Sequence, residues 1–203
     1  MSVPSSDRAL ADRIERALRM VTVPFPHLAG LVASARVTID ERVPTIGVFA
    51  SGRLSANPAF VRGLKENELV FVLAHEMLHL ALRTHDRARG ADRLEFNYAH
   101  DYIINDILRT ELGAPVPAGG LDMPGARDRS AEEIVLEMRR NQQGQSKTRV
   151  WQGEATTAGR VFGARGRGAG TLEAGDVLDL SAEADLYPED AAESGERAEQ
   201  VKE

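Results

Sequence analysis

One segment of the chain, residues 66–83, constrains the fold more than any other. It reads ENELVFVLAHEMLHLALR, with apolar residues at nearly every position around the helix that it predicts. A helix that is hydrophobic almost all round is buried in a core rather than laid on a surface. We therefore predict a core helix over residues 66–83, with Asn67 as its cap.

This core helix also carries the polar residues His75, Glu76 and His79. Two histidines four residues apart project from one helix face, about one turn apart, and can reach the same tetrahedral metal ion. Glu76 is offset from them, so it lies near the water that such an ion would hold. Because unpaired polar groups are costly to bury, we predict His75 and His79 as zinc ligands and Glu76 as a catalytic general acid and base.

A third protein ligand is needed, and His85 is one candidate for it. With His75 and His79 it reproduces the ligand spacing of the metzincin metallopeptidases. That family has a glycine where this chain has Leu82. If the helix continues through Leu82, His85 lies about 15 Å along the axis from His75, at 1.5 Å per residue, and cannot share its metal.

Asp101 on the following helix, predicted over residues 94–112, is the candidate that we favour. Asn97, Asp101 and Asn105 recur every four residues and form a polar stripe on an otherwise apolar helix. If the stripe faces the metal, Asp101 is the ligand, and Asn97 or Asn105 holds a ligand in place. The alternatives to Asp101 that stay open are His85, His100 and Glu95. The other interpretation is that this polar stripe faces solvent and has no role in binding a metal.

The remaining periodicities predict an α+β domain that is mainly helical, with a small sheet or hairpin packed on the core helix. Helices are expected at residues 7–21 and 131–140, and a short helix or turn at 59–64. Strands are expected at 36–40, 45–49 and 53–55, with a tight turn at Ser51-Gly52. Ser130 begins a capping-box sequence ahead of the last helix.

Charge divides the chain unevenly. The net charge of the 203 residues is −6, and residues 173–203 hold eleven acidic against two basic residues. From residue 141 onward the sequence is poor in bulky apolar residues. We predict a domain over residues 1–140 and a disordered acidic tail over 141–203. The balance of charge gives no reason to expect a nucleic-acid partner.

The composition also limits the cellular setting. There is no cysteine, which excludes disulfides and Cys-based zinc sites. No apolar run is long enough to span a membrane, and no secretory signal is visible. We expect a cytoplasmic protein with no membrane partner.

The order of several motifs resembles the bacterial family known as the putative metallopeptidase domain, which usually precedes a von Willebrand A-like domain. The matching pieces are VPT at 43–45, SANPAF at 55–60, LAHEMLHL at 73–80, NYAHDYIIN at 97–105 and SAEEI at 130–134. The resemblance covers about residues 5–140. It implies a zincin-like fold, a Zn²⁺ cofactor, a peptide or protein substrate and a link to ATPase-chaperone partners.

Two main functions follow as hypotheses. The first is peptide-bond hydrolysis, in which an extended substrate pairs with the exposed edge of a strand at 46–49 or 53–55. The second is a metal-stabilised interaction module that binds partner proteins without cleaving them. A third is a peptidase-like domain that cuts one specific protein in toxin or phage-defence regulation.

Overall fold

A computed structural model of the chain describes residues 5–84, 92–117, 120–144 and 180–201. The helices are α1 (Ser5–Val21), α2 (Ala29–Ser34), α3 (Pro58–Gly63), α4 (Glu66–Ala81), α5 (Arg93–Leu112), α6 (Ala131–Gly144), α7 (Leu180–Leu186) and α8 (Ala191–Gln200). The strands are β1 (Arg36–Ile39), β2 (Ile46–Val48) and β3 (Arg53–Ala56). Short 3-10 turns cover Pro26–Leu28, Ala126–Asp128 and Pro188–Asp190. The predicted α+β class, mainly helical with a small sheet, is confirmed.

Helix α4 is the centre of the core, as its composition predicts. Every residue from Leu69 to Leu80 is buried. The apolar face of α1 packs on it, and Ile14 is fully buried there. The predicted cap at Asn67 is wrong, because the helix begins at Glu66 and Asn67 lies inside the first turn. The backbone N–H of Lys65 instead donates to the Glu68 carboxylate at 2.8 Å.

The three strands form one mixed sheet in the order β1-β3-β2. β3 pairs in parallel with β1 and antiparallel with β2, and the β2–β3 turn contains Gly52 with a φ of +80°. The predicted hairpin is therefore confirmed. Because β3 is paired on both sides, residues 53–55 offer no free edge to a substrate, and that alternative is wrong. Within the described residues β2 is an edge strand, and it packs against α4.

Helices α5 and α6 form a second apolar cluster beside the core. Phe96 and Ala99 of α5 pack there with Ile134 and Met138 of α6. The predicted capping box is confirmed: Ser130 N–H donates to the Glu133 carboxylate at 2.9 Å, and Glu133 N–H donates to the Ser130 hydroxyl at 3.2 Å. The arrangement leaves the opposite face of α5 against α4.

The acidic C-terminal segment is partly folded, contrary to the predicted disordered tail. Residues 180–201 form α7, a 3-10 turn and α8, and Glu183, Tyr187 and Ser194 are buried in them. Glu183 pairs with Arg53 of β3 at 2.9 Å, so the sheet supplies a basic partner to this acidic segment. Disorder is therefore wrong for 180–201. Residues 145–179 lie outside the described part, and a domain boundary at residue 140 stays a prediction.

No helix in the described part of the chain combines the length and apolar character that crossing a bilayer requires.

Candidate metal centre

Three buried side chains from α4 and α5 converge on one point. His75 and His79 come from α4 and Asp101 from α5, and none of the three is exposed to solvent. The two imidazole Nε2 atoms are 2.9 Å apart. Asp101 Oδ1 lies 3.0 Å from His79 Nε2 and 3.5 Å from His75 Nε2. Of the residues predicted from the sequence, these are the ones that the fold brings together as a possible metal site.

The spacing and the donor set fit a small cation. Ligand atoms about 2.05 Å from a tetrahedral zinc ion lie about 3.3 Å from one another, in the middle of the observed separations. Two imidazole nitrogens and a carboxylate oxygen are donors that zinc accepts. The second carboxylate oxygen of Asp101, Oδ2, is buried and has no hydrogen-bond partner among the described residues. Such a buried oxygen is costly unless a cation compensates it.

The outer nitrogen of each imidazole is held by a separate side chain. His75 Nδ1 donates to Asn105 Oδ1 at 2.9 Å, and Asn105 Nδ2 donates in turn to the backbone oxygen of Leu121 at 2.9 Å. His79 Nδ1 lies 3.2 Å from the Thr84 hydroxyl. With Nδ1 protonated on both rings, the lone pairs of both Nε2 atoms are directed at the shared point.

The electrostatics of the cluster follow from deep burial and mutual contact. Burial lowers the pKa of His75, but the hydrogen bond and charge of Asp101 outweigh it, so this pKa is raised. Burial and the charge of His75 lower the pKa of His79 to about 4. Burial raises the pKa of Asp101, yet its hydrogen bonds to the two histidines bring it below the usual value. Without a cation the cluster therefore keeps an ionised carboxylate beside a neutral His79.

Glu76 is buried immediately beside the cluster. Only 1% of it is exposed, and its negative charge raises the pKa of His75. Glu76 directly follows His75 on α4, so its side chain leaves the helix in a different direction. It is not one of the three converging residues. A buried carboxylate therefore lies next in sequence to one of the three converging residues.

The polar stripe of α5 faces inward. Asn97, Asp101 and Asn105 are all buried, so the solvent-facing alternative is wrong. Asn105, one of the two residues predicted to hold a ligand in place, makes a hydrogen bond to His75.

The other candidate ligands lie elsewhere or outside the described residues. Glu95 pairs with Arg139 of α6 at 2.6 Å. His100 is buried against Phe96, with ring centroids 4.7 Å apart, and its Nδ1 donates to the Phe96 backbone oxygen at 3.2 Å. Neither residue belongs to the converging group. His85 lies outside the described residues.

The chain turns earlier than the sequence analysis assumes. Helix α4 ends at Ala81 rather than continuing through Leu82, and Arg83 adopts a left-handed conformation with a φ of +52°. This turn brings Thr84 back against His79. Sequence reasoning did not single out Thr84, because no local pattern shows that a non-glycine residue turns the chain there.

The sequence matches the model of a known protein family. The profile of the family described as "Putative metallopeptidase domain" matches residues 10–203. No curated protein and no solved structure matches the chain significantly. Since the matched region spans nearly the whole sequence and includes the His75, His79 and Asp101 cluster, the chain belongs to the putative metallopeptidase domain family.

Proposed function

We propose that this protein is a zinc-dependent peptidase, with His75, His79 and Asp101 as the protein ligands of the metal. The observation that carries the proposal is the convergence of three buried donor atoms from two helices, with one buried oxygen of Asp101 left without a partner among the described residues. Membership of a metallopeptidase family supports the same reading.

The chain's own residues have distinct roles in such a reaction. When bound, zinc supplies a Lewis acid that lowers the pKa of a water molecule towards 7. Glu76 takes a proton from the attacking water and returns it to the leaving amine. Asn105 holds the imidazole of His75 in the tautomer that directs Nε2 inward.

The edge strand β2 is the proposed binding surface for an extended peptide. It packs directly on α4, and its outer edge has no strand partner within the described residues. Backbone hydrogen bonds to such an edge bind a peptide with little dependence on its sequence. This position would lay the peptide along the helix that carries Glu76.

One observation favours a second function, the metal-stabilised interaction module. His75, His79 and Asp101 are fully buried, and Glu76 is nearly so. A structural zinc site is closed by protein groups, whereas a catalytic site keeps a position open to water and substrate. Under this second function the metal stabilises the α4–α5 pair, and a partner protein binds without being cleaved.

Glu76→Gln separates the two functions. We expect this variant to bind zinc as the wild type does, because Glu76 is not a ligand. We expect its kcat/KM on a proteome-derived peptide library, followed by mass spectrometry, to fall about 100- to 10,000-fold, the contribution of a positioned general base. Glu111→Gln on α5, where Glu111 is exposed, is the matched control and should cleave normally.

Each outcome of this experiment favours or contradicts one of the proposed functions. Wild-type protein that binds zinc and cleaves no peptide of the library contradicts the peptidase and favours the interaction module. Full cleavage by Glu76→Gln contradicts the proposed role of this residue. A single cleaved protein in a whole proteome, abolished by chelation, would instead favour the narrowly specific peptidase. An ATPase-chaperone partner stays a prediction that rests on the family resemblance.

A further inference from the structure

The end of α4 contains a backbone conformation that sequence reasoning did not predict. Arg83 is the one non-glycine residue with a positive φ, +52°, within the described residues. For a residue with a Cβ atom this left-handed conformation is unfavourable and persists only where the surroundings enforce it. The residue that it positions is Thr84, which is buried beside His79.

Within the described part of the chain, the Thr84 hydroxyl contacts His79 at two atoms. It donates to the His79 backbone oxygen at 3.4 Å, and its oxygen lies 3.2 Å from the ring atom Nδ1 of the same residue. A hydroxyl that uses its proton on the carbonyl is left as an acceptor for the ring N–H. In this arrangement the hydroxyl favours the tautomer of His79 with Nδ1 protonated, in which Nε2 is the atom that would bind a metal.

A parallel contact exists at the other histidine. Asn105 Oδ1 accepts from His75 Nδ1 at 2.9 Å, and the Asn105 amide is itself anchored to Leu121. Among the described residues, Nδ1 of each imidazole thus contacts a side chain from outside the cluster, supplied by α5 for His75 and by the turn after α4 for His79. An acceptor in this position fixes the tautomer and orientation of a ligating histidine and raises its basicity.

We propose that Thr84, placed by the left-handed turn at Arg83, is a positioning residue for the metal centre that acts through His79. The inference rests on the metal site of the proposed function and goes beyond it, because it assigns the orientation of His79 to a residue that follows the helix. Thr84 itself binds neither metal nor substrate.

The test compares zinc affinities of purified full-length variants, measured by competition with a chelating indicator. Thr84→Val keeps the shape of the side chain and removes the hydroxyl, and we expect it to bind zinc about 10- to 100-fold more weakly. Thr84→Ser keeps the hydroxyl and should bind within about threefold of the wild type. If Thr84→Val does not fold, Thr84→Ala removes the same hydroxyl with a smaller side chain.

Thr22→Val is the matched control. Thr22 follows the end of α1, and its hydroxyl donates to the backbone oxygen of Arg19 at 2.8 Å, much as Thr84 donates to His79. Within the described residues the Thr22 hydroxyl bonds to a backbone oxygen of α1 and not to an imidazole, so Thr22→Val should bind zinc normally. An equal loss of zinc affinity in Thr22→Val and Thr84→Val would contradict the inference, because any threonine at a helix end would then have the same effect.

Failure of the inference can be told from failure of the proposed site. A wild-type protein that binds no zinc contradicts the site itself. A wild-type protein that binds zinc, together with an unchanged affinity in Thr84→Val, overturns only the role of Thr84. Loss of affinity in Thr84→Ser to the level of Thr84→Val also overturns it, because the hydroxyl would then not be the decisive group.

Discussion

Two largely buried polar clusters of this protein differ in the groups that balance their acidic residues. The metal cluster is His75, His79 and Asp101. The C-terminal network consists of Asp40, Arg42, Arg53, Glu183 and Tyr187, where α7 and the turn after it pack on the sheet.

In the C-terminal network each acid meets a base or a hydroxyl. Arg53 donates to Glu183 at 2.9 Å, and Arg42 donates to Asp40 at 2.7 Å. The Tyr187 hydroxyl donates to Asp40 at 2.7 Å, and the Arg53 guanidinium lies 4.3 Å from the Tyr187 ring centroid. The network therefore holds its own counter-charges.

Among the described residues, Asp101 of the metal cluster pairs with imidazoles and with no arginine or lysine. The pKa of Asp101 is lowered and that of His75 is raised, so a proton on His75 faces the carboxylate when no cation is bound. A buried group of this composition is stable only if a cation or a proton is shared among its members. The comparison teaches that a buried carboxylate whose partners are imidazoles rather than arginines marks a candidate cation site.

Among the substitutions that test this comparison, Glu183→Ala is expected to lower the free energy of unfolding most. It removes the buried carboxylate that accepts from Arg53, Ser51 and Ser194, while Asp190 still pairs with Arg53 at 2.6 Å. Breaking a buried ion pair from one side costs at most about 3 to 5 kcal/mol, and the remaining pair keeps the loss towards the lower end. Urea unfolding should show this loss in the free energy of unfolding, and added zinc should not reduce the difference from the wild type. Restoration of stability by zinc would mean that the two clusters are coupled.

Glu189→Ala provides the control for that measurement. Glu189 lies on the same segment and is exposed. Its substitution should change the free energy of unfolding by less than about 0.5 kcal/mol. A loss as large as that of Glu183→Ala would indicate that any lost acid destabilises the segment, whatever its burial.

A smaller effect is expected from pH. Burial and the hydrogen bond to Asp40 raise the pKa of Tyr187 from 10.0 to about 12. A raised pKa means that the folded state favours the protonated hydroxyl, so its contribution is complete below about pH 10 and is lost as the pH rises through 12. The wild type should therefore lose more stability between pH 10 and 12 than Tyr187→Phe does, as measured by urea unfolding. An equal loss in both would contradict the assignment.

The metal cluster could be predicted largely from the sequence, because its evidence is local. Helical spacing places His75 and His79 on one face, and the four-residue recurrence of Asn97, Asp101 and Asn105 indicates a second polar face. Both patterns lie within one helix each. Only the contact between the two helices had to be inferred. Two polar stripes on otherwise apolar helices are expected to face each other, because buried polar groups need partners.

The C-terminal network could not be predicted in the same way. Glu183 and Arg53 are 130 residues apart in sequence. Acidic composition over residues 173–203 suggested a solvated tail, because composition alone does not reveal that β3 offers an arginine to it. The turn at Arg83 was missed for a related reason: tertiary packing, rather than a glycine, determines its conformation.

The measurement that tests the central claim most directly is a zinc titration of the wild type, Asp101→Asn and Asp128→Asn. We expect one zinc ion per wild-type chain. If four ligands share the roughly 10 to 16 kcal/mol of a protein zinc site, one ligand contributes about 3 kcal/mol, so Asp101→Asn should bind on the order of 100-fold more weakly. Asp128 is exposed, and its variant should bind as the wild type does. Absence of stoichiometric zinc in the wild type, or equal affinity in all three proteins, would contradict the account.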